Sequence, residues 1–169
     1  MTMRILAISG SLRAGSSNAT LLQAAAMIAP KGVDIVAYDG IGALPHFNPD
    51  LDEGAPPEIV RKLRAEVAGA DALMISSPEY AHGVPGTLKN ALDWLVGGVE
   101  INGKPVALVN ASARATYAQA ALQETLSVMG ARVIARTISL DGRKNLDAQA
   151  MVNDPEISSA LRSVIQDLR

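Results

Sequence analysis

Ser9-Gly-Ser-Leu-Arg-Ala-Gly-Ser-Ser-Asn18 is the stretch around which the chain is organised. It combines hydroxyl side chains with two glycines and one arginine, and it separates an apolar run from an amphipathic one. The preceding run, residues 3–8, is short and almost wholly apolar, which is typical of a central parallel strand buried on both faces. The sequence therefore predicts a strand, a polar turn and a helix in immediate succession.

The helix after this turn is predicted to begin at a capping asparagine, Asn18, and to place Leu21, Ala25 and Ile28 on one face. A helix N-terminus directs backbone N–H groups and the positive end of its dipole at one point, where a phosphate is stabilised. Arg13 adds a permanent, forked positive charge. The stretch thus predicts an anion site, and an ordinary polar turn with a capping asparagine is the alternative.

Two better-known phosphate loops do not fit this stretch. Gly10 and Gly15 have the spacing of an NTPase loop, but Ser16 stands where that loop has its lysine, which argues against a nucleoside triphosphate. The glycine pattern of the dinucleotide-binding loop is also absent. A single terminal phosphate of a mononucleotide remains. Its candidate ligands are hydroxyl, amide and guanidinium side chains, namely Ser11, Arg13, Ser16, Ser17 and Asn18.

Composition limits the class of protein. At 169 residues the chain fits one domain, 1–169, large enough to bury a core. The absence of cysteine excludes disulfides, thiolate chemistry and zinc-thiolate sites. The two histidines of the chain lack the carboxylate spacing of a metal site. The net charge is −2 with both signs scattered, so nothing supports binding to nucleic acid or to a membrane surface. We expect a cytoplasmic protein, because neither a signal peptide nor an apolar stretch of membrane-spanning length is evident.

The rest of the chain alternates apolar runs with amphipathic segments. The apolar runs predict four more strands, at residues 33–38, 72–77, 106–109 and 132–140. Between them, residues 39–56 are predicted to form a long loop.

Four more helices are predicted from apolar stripes and end signals. Pro57 is predicted at a first helical position and Gly69 at the end of that helix. Thr116 and Gln119 are spaced as a capping box. The last helix is predicted to start with Asp154 as its cap, followed by a proline at the first helical position.

Five strands alternating with five helices predict an α/β fold with a single doubly wound, five-stranded parallel sheet. In the strand order 2-1-3-4-5, ligands bind where the order reverses, between strands 1 and 3. The loop after strand 3, residues 78–85, offers backbone amides, a tyrosine and a histidine between prolines. A flat, partly polar ring joined to a phosphate fits this pair of loops, which is the shape of FMN, and Gly83 would allow close approach to the ring.

The two loops also carry a family resemblance. Gly10-Ser-Leu-Arg-Ala-Gly-Ser-Ser-Asn18, together with Pro78-Glu-Tyr and Pro85-Gly-Thr-Leu-Lys-Asn-Ala-Leu-Asp-Trp94, resembles the NADPH-dependent FMN reductase family over nearly the whole chain. Leu44-Pro-His-Phe47 fits the Leu-Pro-x-aromatic loop of that family. The resemblance implies a flavodoxin-like fold that binds FMN without a covalent link, as in bacterial quinone and chromate reductases.

The resemblance also assigns site residues. It puts residues 11, 13, 16 and 18 at the phosphate and 78–82 beside the isoalloxazine ring, although Tyr80 and His82 could instead only pack their loop. After strand 4, where relatives have a glycine-rich loop, Asn110-Ala-Ser-Ala-Arg-Ala-Thr-Tyr117 contains no glycine, and Ser112 is its predicted flavin neighbour. The predicted cofactor-binding residues are Ser11, Arg13, Ser16, Ser17, Asn18, Pro78, Glu79, Tyr80, Ala81, His82, Gly83 and Ser112.

The implied activity is hydride transfer from NADPH to bound FMN and on to a small acceptor, such as a quinone, a free flavin, a metal oxyanion or an azo compound. No catalytic side chain is expected, because no nucleophile and base are paired. A flavodoxin-like electron carrier and a non-catalytic flavin-binding module are the alternatives, although a carrier would normally be more acidic. The resemblance also implies a homo-oligomer, either a dimer or a tetramer.

Two further residues have open roles. Arg114 is predicted to face the cleft and to meet the 2′-phosphate of NADPH, with a solvated loop arginine as the alternative. Trp94 is interpreted as a packing residue or a subunit contact rather than a chemical group.

Overall fold

The computed structural model describes residues 2–141 and 146–169. Five strands form one sheet in which all neighbours run parallel, in the order β2-β1-β3-β4-β5. This confirms the predicted sheet and its strand order. The strands are β1 (Met3–Ser9), β2 (Val33–Tyr38), β3 (Ala72–Ser76), β4 (Pro105–Asn110) and β5 (Arg132–Thr137).

Helices cover both faces of this sheet. In the described part of the chain they are α1 (Ser17–Met27), α2 (Pro49–Asp52), α3 (Glu58–Ala68), α4 (Gly86–Val96), α5 (Thr116–Val128), α6 (Ala148–Asn153) and α7 (Pro155–Asp167). The predicted loop at 39–56 contains α2 and a 3₁₀ helix, Gly40–Ala43, and α6 was not predicted. Both missed α-helices are too short to show an apolar period. Within the described residues, none of the helices has the length and hydropathy needed to cross a bilayer.

Two apolar layers hold the helices against the sheet. Successive side chains of a strand point to opposite faces, so Ile5 and Ala7 of β1 join one layer while Leu6 and Ile8 join the other. The first layer packs against α1, α6 and α7, and the second against α3, α4 and α5. Burial on both faces explains why the central strands are continuous apolar runs.

The parallel register brings the carboxyl ends of the strands to one edge. Ser9 at the end of β1 is level with Ser76 at the end of β3, and Asn110 of β4 is level with Thr137 of β5. The loops after β1, β3, β4 and β5 therefore meet above this edge.

The predicted cap of α1 is wrong. The helix begins at Ser17, the residue before it is Ser16, and no side chain caps it. Asn18 instead lies inside the first turn, where it is buried and its Oδ1 accepts a hydrogen bond from Ser76 Oγ at 2.8 Å. A buried serine hydroxyl needs an acceptor, and satisfying it turns the asparagine towards β3 rather than back to its own helix.

The predicted capping box of α5 is also wrong. Ala115 precedes the helix, and Gln119 Nε2 donates to Leu108 O at 3.3 Å instead of reaching back to the helix start. The cap comes from another loop, because Ala118 N donates to Glu79 Oε2 at 2.8 Å. In contrast, Asp154 caps α7 as predicted, accepting from the backbone N–H groups of the second and third helical residues.

Smaller differences concern element ends. Strands 3 and 5 stop at Ser76 and Thr137, before the predicted ends at 77 and 140. Leu140 N still donates to Ala111 O at 2.9 Å, so the loops after β4 and β5 remain paired beyond the sheet. Helix α3 begins one residue after Pro57, and Gly69 is its C-terminal cap, the latter as predicted.

The Leu-Pro-His-Phe segment is anchored to α4. Trp94 is fully buried, its ring meets the ring of Phe47 edge-on with centroids 5.0 Å apart, and its Nε1 donates to Pro45 O at 2.8 Å. Asn90 adds two bonds to the same segment, from Nδ2 to Pro45 O and from Phe47 N to its Oδ1. Trp94 is therefore a packing residue of this chain.

Candidate functional site

A cleft of about 380 Å³ lies above the carboxyl ends of β1, β3, β4 and β5. The structure brings five of the twelve predicted site residues to its wall, from the start of α1 and from the loops after β3 and β4. They are Ser17, Asn18, Pro78, Glu79 and Ser112. Arg114 also lines the cleft, as predicted. The cleft is therefore built where the strand order predicts a ligand.

The other predicted residues lie around this cleft rather than on its wall. Ser16 is buried at the start of α1, and Ser11 lines a different cavity. Arg13 is exposed, and within the described residues its side chain makes no hydrogen bond or ion pair. The remaining four, residues 80–83, form a turn beyond Glu79.

Close approach of two loops requires the glycine after β1. Gly10 N donates to Ser76 O at 2.8 Å, so the ladder between β1 and β3 extends into the cleft loops. A Cβ on Gly10 would overlap Ser77 Oγ and would lie 2.9 Å from Ser77 Cβ and 3.1 Å from Leu88 Cδ2. Only glycine therefore lets these loops come together without displacement.

Replacing Gly10 with alanine should lower the free energy of unfolding by about 1–3 kcal/mol, because the added methyl overpacks this contact. Chemical denaturation followed by circular dichroism measures the loss. Adding Ser77→Gly should recover part of it, since that change removes two of the three close atoms. Strictly additive losses in the double variant would contradict this account.

The N-terminus of α1 is open towards the cleft. No side chain caps the helix and its first turn holds no acidic residue, while Ser17 and Asn18 line the cleft wall. At α5, the other helix that starts beside the cleft, the Glu79 carboxylate already occupies the corresponding position. The first-turn N–H groups of α1 are thus the backbone donors left for a ligand anion, and they fit the phosphate of a mononucleotide.

A network on the opposite wall joins the loops after β4 and β5. Ser112 Oγ donates to Asp141 Oδ1 at 2.9 Å, and Ala113 N and Ser139 Oγ donate to Asp141 Oδ2 at 2.8 and 3.0 Å. The Ser112 hydroxyl, the Ala113 amide, the Ser139 hydroxyl and the nearby Arg114 charge all hold the pKa of Asp141 below its usual range. The carboxylate therefore stays ionised at neutral pH and fixes Ser112 in place.

The turn at residues 80–83 has an unusual backbone. Tyr80 and Gly83 exchange both backbone hydrogen bonds, and the two residues between them, Ala81 and His82, have φ of 49° and 59°. Glycine and asparagine favour this conformation, whereas other residues are strained in it. The His82 ring stacks on Tyr117 of α5, with centroids 4.3 Å apart and planes 18° from parallel. The turn is thus held against α5 rather than inside the cleft.

Replacing Ala81 with glycine should raise the free energy of unfolding by up to about 1 kcal/mol, because relief of left-handed strain exceeds the entropy lost by a more flexible unfolded chain. Thermal and chemical unfolding measure the gain. The control is Ala121→Gly on the exposed side of α5, which should lose about 0.5–1 kcal/mol. If both variants lose stability equally, the turn is not strained.

Three polar residues of the wall were missed by the sequence reasoning: Ser77, Asn110 and Asp141. Asn110 is buried at the end of β4, where its Nδ2 donates to Ala115 O and its Oδ1 accepts from Ser112 N. Asp141 organises the opposite loop as described above. Asn110 could have been found, because it is a polar residue at the end of an apolar strand. Asp141 could not, because no sequence pattern links it to Ser112 and Ala113, which lie 29 and 28 positions earlier.

A parallel sheet of order 2-1-3-4-5, with helices on both faces and a cleft at the switch point, defines a flavodoxin-like protein. The profile of the NADPH-dependent FMN reductase family matches residues 3–144. The chain belongs to this family. The predicted class of enzyme, an oxidoreductase that depends on FMN and NAD(P)H, is thereby confirmed.

Known relatives agree in sequence and in structure. An NAD(P)H-dependent FMN reductase of Pseudomonas aeruginosa is 33% identical over 174 residues, covering 99% of this chain and 94% of the relative. A 2-hydroxy-1,4-benzoquinone reductase of a Burkholderia species is 40% identical over 115 residues, or 66% of this chain and 62% of the relative. A solved flavoenzyme NAD(P)H:(acceptor) oxidoreductase from Paracoccus denitrificans superposes with a TM-score of 0.86 at 28% identity, covering 99% and 95% of the two chains.

Proposed function

We propose that this chain holds FMN in the cleft above β1, β3 and β4 and uses NAD(P)H to reduce a quinone. The observation that carries the proposal is the uncapped N-terminus of α1, which opens onto a cleft at the switch point of the sheet. The quinone is favoured among the small acceptors because a benzoquinone reductase is among the relatives.

Three parts of the chain would hold the cofactor. The first-turn amides of α1 and the hydroxyl of Ser17 would bind the phosphate, and the exposed Arg13 of the preceding loop would add a positive charge. Pro78 and Glu79 line the same cleft from the loop after β3, and Ser112 lines it from the loop after β4. These loops would orient the ring between them.

The side chains of the cleft position groups rather than move protons. Both carboxylates on the wall are already committed, Glu79 to the amide of Ala118 and Asp141 to the loop after β4. When bound, FMN supplies the two-electron redox chemistry for which these side chains have no group of their own. The contribution of the chain is to hold two planar reactants in one orientation.

One experiment separates this function from its alternatives. Purified protein is incubated with FMN, excess flavin is removed, and NADPH oxidation is followed with and without 1,4-benzoquinone. We expect retained flavin absorption and NADPH oxidation that accelerates with the quinone. A protein without flavin bands would overturn the proposal. Bound flavin without NADPH oxidation would instead indicate an electron carrier or a binding module.

Arg114 is proposed as the residue that makes the enzyme prefer NADPH over NADH. It lines the cleft on an exposed loop, and a guanidinium matches a phosphate dianion better than a ribose hydroxyl. Arg114→Ala should raise KM for NADPH roughly tenfold and leave KM for NADH and the affinity for FMN nearly unchanged. Steady-state kinetics with both dinucleotides tests this. If the ratio of kcat/KM for NADPH to kcat/KM for NADH is the same in Arg114→Ala as in the unsubstituted protein, Arg114 does not select the dinucleotide.

A homo-oligomer and a cytoplasmic location stay predictions. The homo-oligomer is supported by exposed aliphatic side chains whose burial between subunits would be favourable, among them Leu51, Val96, Val99 and Val128. Gly97 lies beside Asp52, so the ends of α2 and α4, which carry Leu51 and Val96, are next to each other. Sedimentation velocity distinguishes monomer, dimer and tetramer, and cell fractionation tests the location.

A further inference from the structure

A second cavity, of about 330 Å³, lies on the other side of the loop after β1. It is bounded by α1, the carboxyl ends of β1 and β2, and the 3₁₀ helix Gly40–Ala43. The cavity opens to solvent, because several of its lining residues are exposed, namely Leu12, Gln23, Ala26, Ala37 and Asp39. Its volume falls at the lower end of the range of ligand sites, about 300–1,000 Å³.

Small side chains create this space. Four of the residues that line it are alanines, two from α1 and one each from β1 and β2: Ala7, Ala19, Ala26 and Ala37. Larger apolar side chains from α1, β2 and the 3₁₀ helix complete the wall, namely Leu22, Ile35 and Ile41. These walls suit a flat, largely apolar group.

Leu12 closes one side of the cavity. Its side chain is exposed yet extends from the loop after β1 to the 3₁₀ helix, since a Cβ on Gly42 would lie 3.0 Å from Leu12 Cδ2. Glycine at 42 therefore leaves room for this contact. An exposed leucine placed in this way extends the apolar wall at the mouth of the cavity.

The mouth carries a carboxylate. Asp39 directly follows β2 and lines the cavity. Its side chain does not cap the 3₁₀ helix, and within residues 2–141 and 146–169 it makes no hydrogen bond or ion pair. The amide of Gln23 on α1 lines the same cavity and likewise has no side-chain partner among the described residues.

Dinucleotide-binding α/β sheets carry an acidic residue about 20 residues after their first βα turn, and Asp39 stands at a similar separation from the turn after β1. In those sheets the carboxylate that follows the second strand binds the ribose hydroxyls, beside the turn between the first strand and the first helix. We propose that this cavity binds a nucleoside with a free 2′,3′-diol, with the base between α1 and β2 and the diol on Asp39. A 2′-phosphate is excluded, because it would put two negative charges together. The site is distinct from the flavin cleft and does not depend on the proposed function.

Adenosine tests the site directly. The protein, saturated with FMN so that the first cleft is occupied, is titrated with adenosine in a calorimeter. We expect saturable binding without release of flavin. Adenosine 2′-monophosphate should not bind, and 2′-deoxyadenosine should bind roughly tenfold more weakly, because it lacks one donor to a charged acceptor.

Two variants and a control complete the test. Asp39→Ala should weaken the binding of adenosine at least about tenfold. Asp34→Ala, which removes an exposed carboxylate of β2 outside the cavity, should leave adenosine binding unchanged. Ala26→Trp, at an exposed position of the wall, should abolish adenosine binding and leave FMN binding intact. The inference is overturned if adenosine does not bind, if it displaces FMN, or if Asp39→Ala and Ala26→Trp both bind adenosine unchanged.

Discussion

Trp94→Ala should lower the free energy of unfolding by about 3–5 kcal/mol, the cost of truncating a large buried aromatic residue. The side chain is fully buried, packs edge-on against Phe47 and donates to Pro45 O. Its removal leaves a void on α4 and loosens the segment at residues 44–47, which keeps its two hydrogen bonds to Asn90 of that helix. Because the chain has a single tryptophan, unfolding should be followed by circular dichroism rather than by fluorescence.

Trp94→Phe separates the two contributions. It keeps an aromatic ring but leaves Pro45 O with only the bond from Asn90, so we expect a smaller loss of about 1–3 kcal/mol. The exposed Lys89, on the same helix, provides the control, and Lys89→Ala, which removes a surface ion pair with Asp93, should change stability by less than about 0.5 kcal/mol. A loss below about 1 kcal/mol for Trp94→Ala would mean that the segment is not anchored by this ring.

Arg13→Ala should weaken FMN binding by about 1.5–3 kcal/mol, or roughly tenfold to a hundredfold, and leave riboflavin binding unchanged. The two ligands differ only in the phosphate, which the guanidinium would contact. Since Arg13 has no side-chain partner within the described residues, its removal should not alter the stability of the free protein. Fluorescence titration with both flavins measures the difference.

Arg61→Ala is the matched control for this experiment. Arg61 is an exposed arginine of α3, which packs on the opposite face of the sheet from α1, and it does not line the cleft. Both variants remove one positive charge. The control should bind both flavins like the unsubstituted protein. An equal loss of FMN and riboflavin affinity in Arg13→Ala would show that the arginine supports the loop rather than the phosphate.

The sheet could be predicted from sequence because its strands have one simple property. Buried on both faces, β1, β3 and β4 are short continuous apolar runs, and their parallel connection follows from the helices between them. Short helices could not be found in this way. Helix α2 depends on Asn48 capping Asp50 N, and α6 on Asp147 capping Ala150 N, which are local bonds without a periodic pattern.

The loops of the cleft could be predicted, but not the partners of their side chains. Asn18 resembles a helix cap in sequence, yet the hydroxyl of Ser76, 58 positions later, decides its orientation. Glu79 was predicted beside the flavin; it lines the cleft, and its carboxylate also accepts a hydrogen bond from the Ala118 amide of α5. In both cases a residue distant in sequence supplies the partner, and local patterns carry no information about it.

The bond between Glu79 and α5 has a consequence for the motions of the cleft. A helix capped by its own preceding residue can fray alone, but α5 loses its cap whenever the loop after β3 moves away. Opening of this loop and fraying of the first turn of α5 are then one cooperative event, to which the stacked rings of His82 and Tyr117 also belong. The amides of Gly83 and Ala118 should therefore exchange with solvent deuterium at a common rate, so that two walls of the cleft breathe as a single unit.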